Sequence, residues 1–284
     1  MVSQRTIERG KHEYPHSLER VPHPPARLRL RGSLGSCRRS VAVVGAREPD
    51  DYGLDLTREL VTGLARARVS VVSGGARGID AAAHRAALEA GGHTVAVMGC
   101  GLDIAYPSGH RELFERIVEA GGALLTEYDD GTEPAHYRFP ERNRIVAGLC
   151  DAVLVVRAGQ GSGALITAAW ARRAGIPVFA VPGDARADLS AGPHALLRAG
   201  ARLATSAADL LDALGLALPE PAPAPQLEGD AAALWTAMSR QPRHADELAR
   251  EARIAPGAAL AALLGLELSG LCEQRPGHQF LRRA

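Results

Sequence analysis

Two glycine-rich turns hold the residues best suited to chemistry. Residues 73–80 read SGGARGID and residues 157–167 read RAGQGSGALIT. Each follows an apolar run and precedes a run of good helix formers. In the first, Gly74, Gly75 and Gly78 let the backbone approach a ligand and present free N–H groups. The helix opening near Gly78 adds a partial positive charge suited to a phosphate, and Arg77 offers a planar fork for the same oxyanion. The second turn repeats the arrangement, with Gly161, Ser162 and Gly163 before a helix. The same glycines would equally serve a tight strand-to-helix turn that binds nothing, so their neighbours decide the reading.

Those neighbours are arginines and aromatic rings. Lys11 is the only lysine. Between 27 and 47 stand Arg27, Arg29, Arg31, Arg38, Arg39 and Arg47 with no acid, and Arg138, Arg142 and Arg144 stand around the single acid Glu141. Arg27 to Arg39 read as a solvated surface. Arg47, Arg142 and Arg144 read as binding groups, because they fall where strands end. Tyr52, Tyr106, Tyr128, Tyr137 and Phe139 lie in loops of the same kind. Guanidinium groups for phosphates with rings interleaved for bases is what single-stranded nucleic acid requires. The net charge is only +1, so such binding must rest on a local patch.

Several classes are excluded or weakened. The nucleoside-triphosphate loop GxxxxGK[ST] is absent, as is GxGxxG after the first strand. Asp80 and His84, four apart on a helix, could pair, and Asp103 and Glu127 could act as bases, but no Ser/His or Cys/His set accompanies them. Cys100, between Gly99 and Gly101, reads as a buried turn cysteine. The four cysteines, Cys37, Cys100, Cys150 and Cys272, form no CxxC pair, which points to a reducing compartment rather than a zinc site or disulfide framework. With neither an apolar leader nor a membrane-length apolar run, the expectation is a cytoplasmic protein without cofactor or metal.

The elements that position these loops follow from periodicity. Runs at 41–45, 69–73, 94–98, 123–127, 152–156 and 178–182 are continuously apolar, as strands buried on both faces are, and helical stretches alternate with them. This predicts an α/β fold: a doubly wound, mostly parallel sheet of six or so strands, Rossmann-like. A last helix over about 193–214 is expected to break near Gly200. Ligands in such sheets sit outside the carboxyl ends of the strands. Residues 1–40, interrupted by Pro15, Pro22, Pro24 and Pro25, read as irregular. The expected division is an extension over 1–36, a Rossmann-like domain over 37–215, a Pro/Ala linker over 216–228, and a small unit over 229–284. In that unit Leu234, Met238, Leu248, Ile254, Leu260, Leu263, Leu264 and Leu268 suit three short amphipathic helices. A hairpin around Pro276-Gly277 completes the outline of a winged helix.

The combined set resembles the DprA/Smf family of DNA-processing proteins. The carrying residues are Gly45-Ala46-Arg47 after the first strand, SGGARGID, Gly99 to Asp103 with Tyr106 and Pro107, Phe139-Pro140-Glu141-Arg142-Asn143-Arg144-Ile145, SGALIT, and Val181-Pro182-Gly183. Arg157 stands where the family usually has an acid, and His110 replaces an asparagine often found after Tyr-Pro. The helical domain that precedes this region in the family is expected to be missing. The resemblance implies a non-enzymatic protein of natural transformation. It would bind and protect single-stranded DNA, load the RecA recombinase, and form a homodimer through about 192–203. It assigns the DNA contacts to Gly45, Arg47, Gly74, Arg77, Gly78, Tyr106, Phe139, Arg142, Asn143, Arg144, Ser162 and Gly163. Two rival readings stand beside it: an interaction protein in which DNA binding has decayed and the winged helix mediates contacts, and a nucleotide phosphoribohydrolase of similar fold, whose PGGxGTxxE motif is absent, since Gly131-Thr132-Glu133 lacks the preceding glycines.

Overall fold

A computed structural model describes residues 4–35, 37–217, 226–239 and 241–282. The chain divides into two compact units, Met1–Pro219 and Glu220–Ala284. The Pro/Ala stretch at 218–225, read above as linker, lies outside the described residues.

In the first unit the order is β1 (Gln4–Glu8), β2 (Arg27–Gly32), β3 (Ser40–Val44), α1 (Asp51–Arg66), β4 (Ser70–Ser73), α2 (Ile79–Glu89), β5 (Thr94–Val97), α3 (Arg111–Glu119), β6 (Ala123–Thr126), α4 (Arg138–Gly148), β7 (Ala152–Val155), α5 (Gly163–Arg173), β8 (Val178–Ala180), α6 (Ala191–Arg198), β9 (Arg202–Leu203) and α7 (Ala207–Ala213). The strands form one sheet in the order β1-β2-β6-β5-β4-β3-β7-β8-β9. From β6 to β9 all pairings are parallel; β1 and β2 pair antiparallel at one edge.

Period-two alternation explains why the strand sequences read as unbroken apolar runs. Ala42 and Val44 face one core with α4 and α5, while Val41 and Val43 face another with α1 and α2. A third cluster gathers α3 around Phe114 and Ile117. Both faces of the sheet are therefore dry along β3 to β8, and in those strands polar side chains are left for the strand ends.

Two expectations are corrected, and one, the break near Gly200, is borne out. The sheet has nine strands, not six. The region 193–214 is two helices separated by a short strand, with Gly200 at φ +89° where the first ends. Residues 4–32 are not irregular: they supply both antiparallel edge strands. In β2, RLRLRG, Leu28 and Leu30 are fully buried. The alternate arginines pair with acids across the edge. Arg27 and Arg29 reach Asp129 at 2.6 Å each, and Arg31 bonds Glu115. The prolines interrupt only the connection between these strands.

In the second unit α8 (Gly229–Ala237), β10 (Arg243–His244), α9 (Ala245–Ala252), α10 (Pro256–Leu268), β11 (Cys272–Arg275) and β12 (Gln279–Arg282) surround a core of Leu234, Met238, Leu248, Leu263, Leu266 and Phe280. The strands order as β10-β12-β11. Three helices and a hairpin with an added short strand make a winged helix. Leu260, Leu264 and Leu268, read above only as suiting an amphipathic helix, lie outside that core and are exposed.

The edge pairing has a pH consequence. The bond from Arg29 holds the Asp129 carboxyl below its usual range, and the bond from Arg31 does the same for Glu115. A carboxyl depressed by folding contributes stability above its ordinary pKa and loses it as pH falls through the lowered value. Hydrogen exchange measured from pH 7 down to 3 should therefore show β1 and β2 opening before the parallel strands, after correction for intrinsic exchange rates.

Candidate nucleic-acid interface

The chain leaves β3 outward through β4, β5 and β6, then returns to place β7 on the other side of β3. Loops after β3 and β7 therefore diverge, and a crevice opens between them at the carboxyl ends. A cleft of about 660 Å³ lies there, lined by Gly45, Ala46, Arg47 and Glu48 after β3, Gly74 and Ala76 after β4, residues 159–164 after β7, and His136, Phe139, Pro140, Arg142 and Asn143 at the start of α4.

Three loops are tied together beneath this cleft. Ala46 donates its N–H to the Arg157 carbonyl at 2.6 Å, and its own carbonyl accepts from Ile79 at 3.1 Å. Gly78, at φ +77°, lies directly against this strap. A Cβ there would stand 2.7 Å from the Arg47 carbonyl carbon and would collide with the Ala46 oxygen. A side chain at this position is excluded both by φ and by the approach of two backbones. The third glycine of SGGARGID thus serves loop packing; Gly78 itself does not line the cleft.

Asp80 and Arg142 hold the turn after β4 from opposite sides. The Asp80 carboxylate accepts from Gly74 N–H at 3.1 Å and Ala76 N–H at 3.4 Å. Arg142, 4% exposed, donates through Nη1 to the Gly74 carbonyl at 2.7 Å and to the Val97 carbonyl. Burial pushes the Asp80 carboxyl up, opposed by the Arg142 charge; burial likewise pulls Arg142 down, opposed by Asp80. This corrects the expectation that the amides of SGGARGID wait for a phosphate. An internal carboxylate already takes the Gly74 and Ala76 amides. Asp80 does not pair with His84, whose imidazole bonds Thr94 Oγ1 at 2.8 Å and is held neutral by burial, down at about 3.

The outer wall is different. Arg47 is exposed at the rim, its guanidinium 5.9 Å from the Phe139 ring centre, and Phe139 stacks on Tyr106 at 5.3 Å with 22° between planes. On the far wall α5 begins at an exposed Gly163, with Ser162 capping the Ala164 N–H at 3.3 Å. Asn143 ties the walls together, donating through Nδ2 to the Gly163 carbonyl at 3.1 Å. The open helix N-terminus facing the cleft is that of α5.

Of the residues expected to contact DNA, Gly45, Arg47, Gly74, Phe139, Arg142, Asn143, Ser162 and Gly163 line the cleft, and Tyr106 joins through its stack. Arg77 is exposed but outside the lining. Arg144 is also outside it. Both its Nη atoms bond Glu127 at 2.6 Å, and its Nε donates to the His23 carbonyl at 3.0 Å. Residues 142 and 144 lie about 200° apart around a helix, so only one of them can face the cleft. His136, Glu48 and Gln160 were missed; they carry no motif spacing and enter only through folding.

Arg157 is 2% exposed and bonds the Asp50 carboxylate, the Ser190 hydroxyl at 2.6 Å and the face of Tyr52 at 5.2 Å. Burial alone would raise the Asp50 carboxyl, but the Arg157 and Gly53 bonds bring it below its usual range. The cation is thus neutralised next to the loop it departs from. Cys100 is buried, donates to the Ile104 carbonyl and has its thiol pushed up to about 11 by burial. Among the described residues no cluster of metal-ligating groups occurs, and no helix is long and apolar enough to cross a membrane.

Two variants test the architecture. Arg142→Ala leaves the Asp80 carboxylate without its counter-charge and should cost about 3–5 kcal/mol in urea denaturation. Gly78→Ala should cost more than about 1 kcal/mol, lowering the melting temperature by about 2–4 °C for each kcal/mol.

Comparison with known proteins matches this geometry to relatives. Residues 218–278 match the model of the DprA winged helix domain. A putative DNA processing protein DprA of Mycobacterium tuberculosis is 46% identical over 254 residues, covering 87% of this chain and 65% of that one. The chain thus spans slightly under two thirds of that relative. The DNA processing protein DprA of Streptococcus pneumoniae is 43% identical over 199 residues, 70% of each chain. Its crystal structure superposes with a TM-score of 0.69 at 40% identity, covering 73% of both chains. DNA processing protein A from Helicobacter pylori superposes at 0.67 with 29% identity, covering 74% of this chain and 95% of that one. Residues 5–215 match the model of DNA recombination-mediator protein A, and the chain belongs to that family.

Proposed function

We propose that this chain binds single-stranded DNA with little sequence preference at the cleft between the β3 and β7 loops. The observation that carries the reading is the Arg47–Phe139–Tyr106 stack facing the open N-terminus of α5 across that cleft. Rings accept any base by stacking, and the guanidinium and helix N-terminus attract the phosphate beside it. The Helicobacter pylori relative, whose structure is described for its single-stranded DNA binding mode, supports the same ligand.

The wider role follows the family. We place the chain as a cytoplasmic mediator of natural transformation that protects incoming single strands and loads RecA recombinase onto them, without catalysis or cofactor. Two copies associate through 192–203. Support for that face comes from β9, a two-residue strand at the edge of the sheet whose Leu203 is 52% exposed.

Filter binding or electrophoretic shift with single-stranded and duplex DNA checks the site. Single strands should be preferred. Arg47→Ala should weaken binding to all sequences alike and flatten the salt dependence by about 0.7 in log K against log[salt]. Tyr106→Ala should cost about 1–3 kcal/mol, whereas Arg144→Ala, already committed to Glu127, should leave the salt slope unchanged. Full affinity in the Arg47 and Tyr106 variants would remove the cleft from consideration.

A further inference from the structure

The helix α10 has the sequence PGAALAALLGLEL, with one charged residue in thirteen. A helix apolar all round is normally buried all round. This one buries only Ala259, Leu263 and Leu266 in the core of its unit. The remaining face carries two parallel ridges, each stepping by four residues. One is Leu260, Leu264 and Leu268, exposed by 37%, 43% and 91%. The other is Gly257, Ala261 and Gly265, also exposed. Leucines at one helical interval, every one of them open, form a contiguous patch rather than scattered surface residues.

The chemistry of that face decides its occupant. In a winged helix that reads DNA, the third helix enters the groove and its side chains supply donors and acceptors to base edges. Neither ridge of α10 has a side-chain donor or acceptor. Nucleic acid is therefore the wrong partner, and a second apolar helix is the right one. A two-fold contact needs the same patch to be self-complementary. A ridge of leucines beside a groove of small residues meets that requirement, because the leucines of one copy enter the hollows of the other.

We propose that α10 is a self-association surface on which a second copy of this chain docks with its own α10 antiparallel. With the crossing between Leu260 and Ala261, Leu264 meets the hollow at Gly257 of the second copy. Charge favours the antiparallel sense. Arg253 stands just ahead of the helix and Glu267 in its last turn, each seven residues from Leu260, so each end of the pair brings opposite charges together. The two helix dipoles are opposed as well. This surface is separate from the proposed contact at 192–203 and does not rest on the nucleic-acid reading.

The test uses the full chain without DNA. Sedimentation equilibrium should show a concentration-dependent assembly step that Leu264→Glu with Leu268→Glu weakens by about ten-fold or more. At concentrations below the assembly step the same variant should keep the wild-type melting temperature, since both side chains point away from the core. A photo-crosslinking amino acid at position 268 should give a product of twice the chain mass. An assembly unchanged by the double variant, or a cross-link confined within one chain, would overturn the proposal. So would a cross-link that forms only to added duplex DNA.

Discussion

The buried charges of Asp80 and Arg142 are the constraint from which the rest of the first unit follows. They face each other across Gly74, where any Cβ would stand 2.7 Å from Arg142 Nη2 and 2.8 Å from Asp80 Oδ2. One charge takes the amides of the turn after β4, and the other takes its carbonyl and that of Val97. Neither can be moved without stranding the other in a dry interior. The turn fixes Gly78, Gly78 seats the backbone of Arg47, and Arg47 lies over Phe139 on the same helix as Arg142. The floor of the cleft is a closed set of hydrogen bonds between buried charges and backbone, and the groups open to solvent are at its rim.

Much of this was legible in the sequence, and the failures have physical causes. Strands buried on both faces announce themselves as apolar runs, and the glycine-rich turns lie where such runs end. The edge strand β2 was hidden because RLRLRG shows two leucines among four polar or small positions. Its arginines suggest open solvent until Asp129 and Glu115, about a hundred residues away, fold back against them. Arg144 was read as a binding group because it falls where a strand ends; on the helix it lies about 200° from Arg142 and turns instead to Glu127. Asp80 was legible as the acid of a helix's first turn; that it would consume the amides reserved for a ligand depended on the path of the turn.

Arg157 shows how a departure from a family pattern is absorbed. An arginine in place of the usual acid would alter the charge beside the cleft. Here Asp50, which also caps α1 by accepting from Gly53 N–H at 3.0 Å, turns its carboxylate onto the guanidinium, and Tyr52 covers it. The Arg157 charge is thus held in a buried layer below the loop.

The two margins of the sheet differ in a way that bears on how the molecule tolerates crowding. One margin ends in a five-residue strand, QRTIE, whose single arginine and single glutamate discourage a stranger's backbone from pairing there. The opposite margin ends in two residues only, too little template for ribbon growth. Many copies can therefore gather side by side without their sheets fusing into fibrils, and contacts between them are left to side chains.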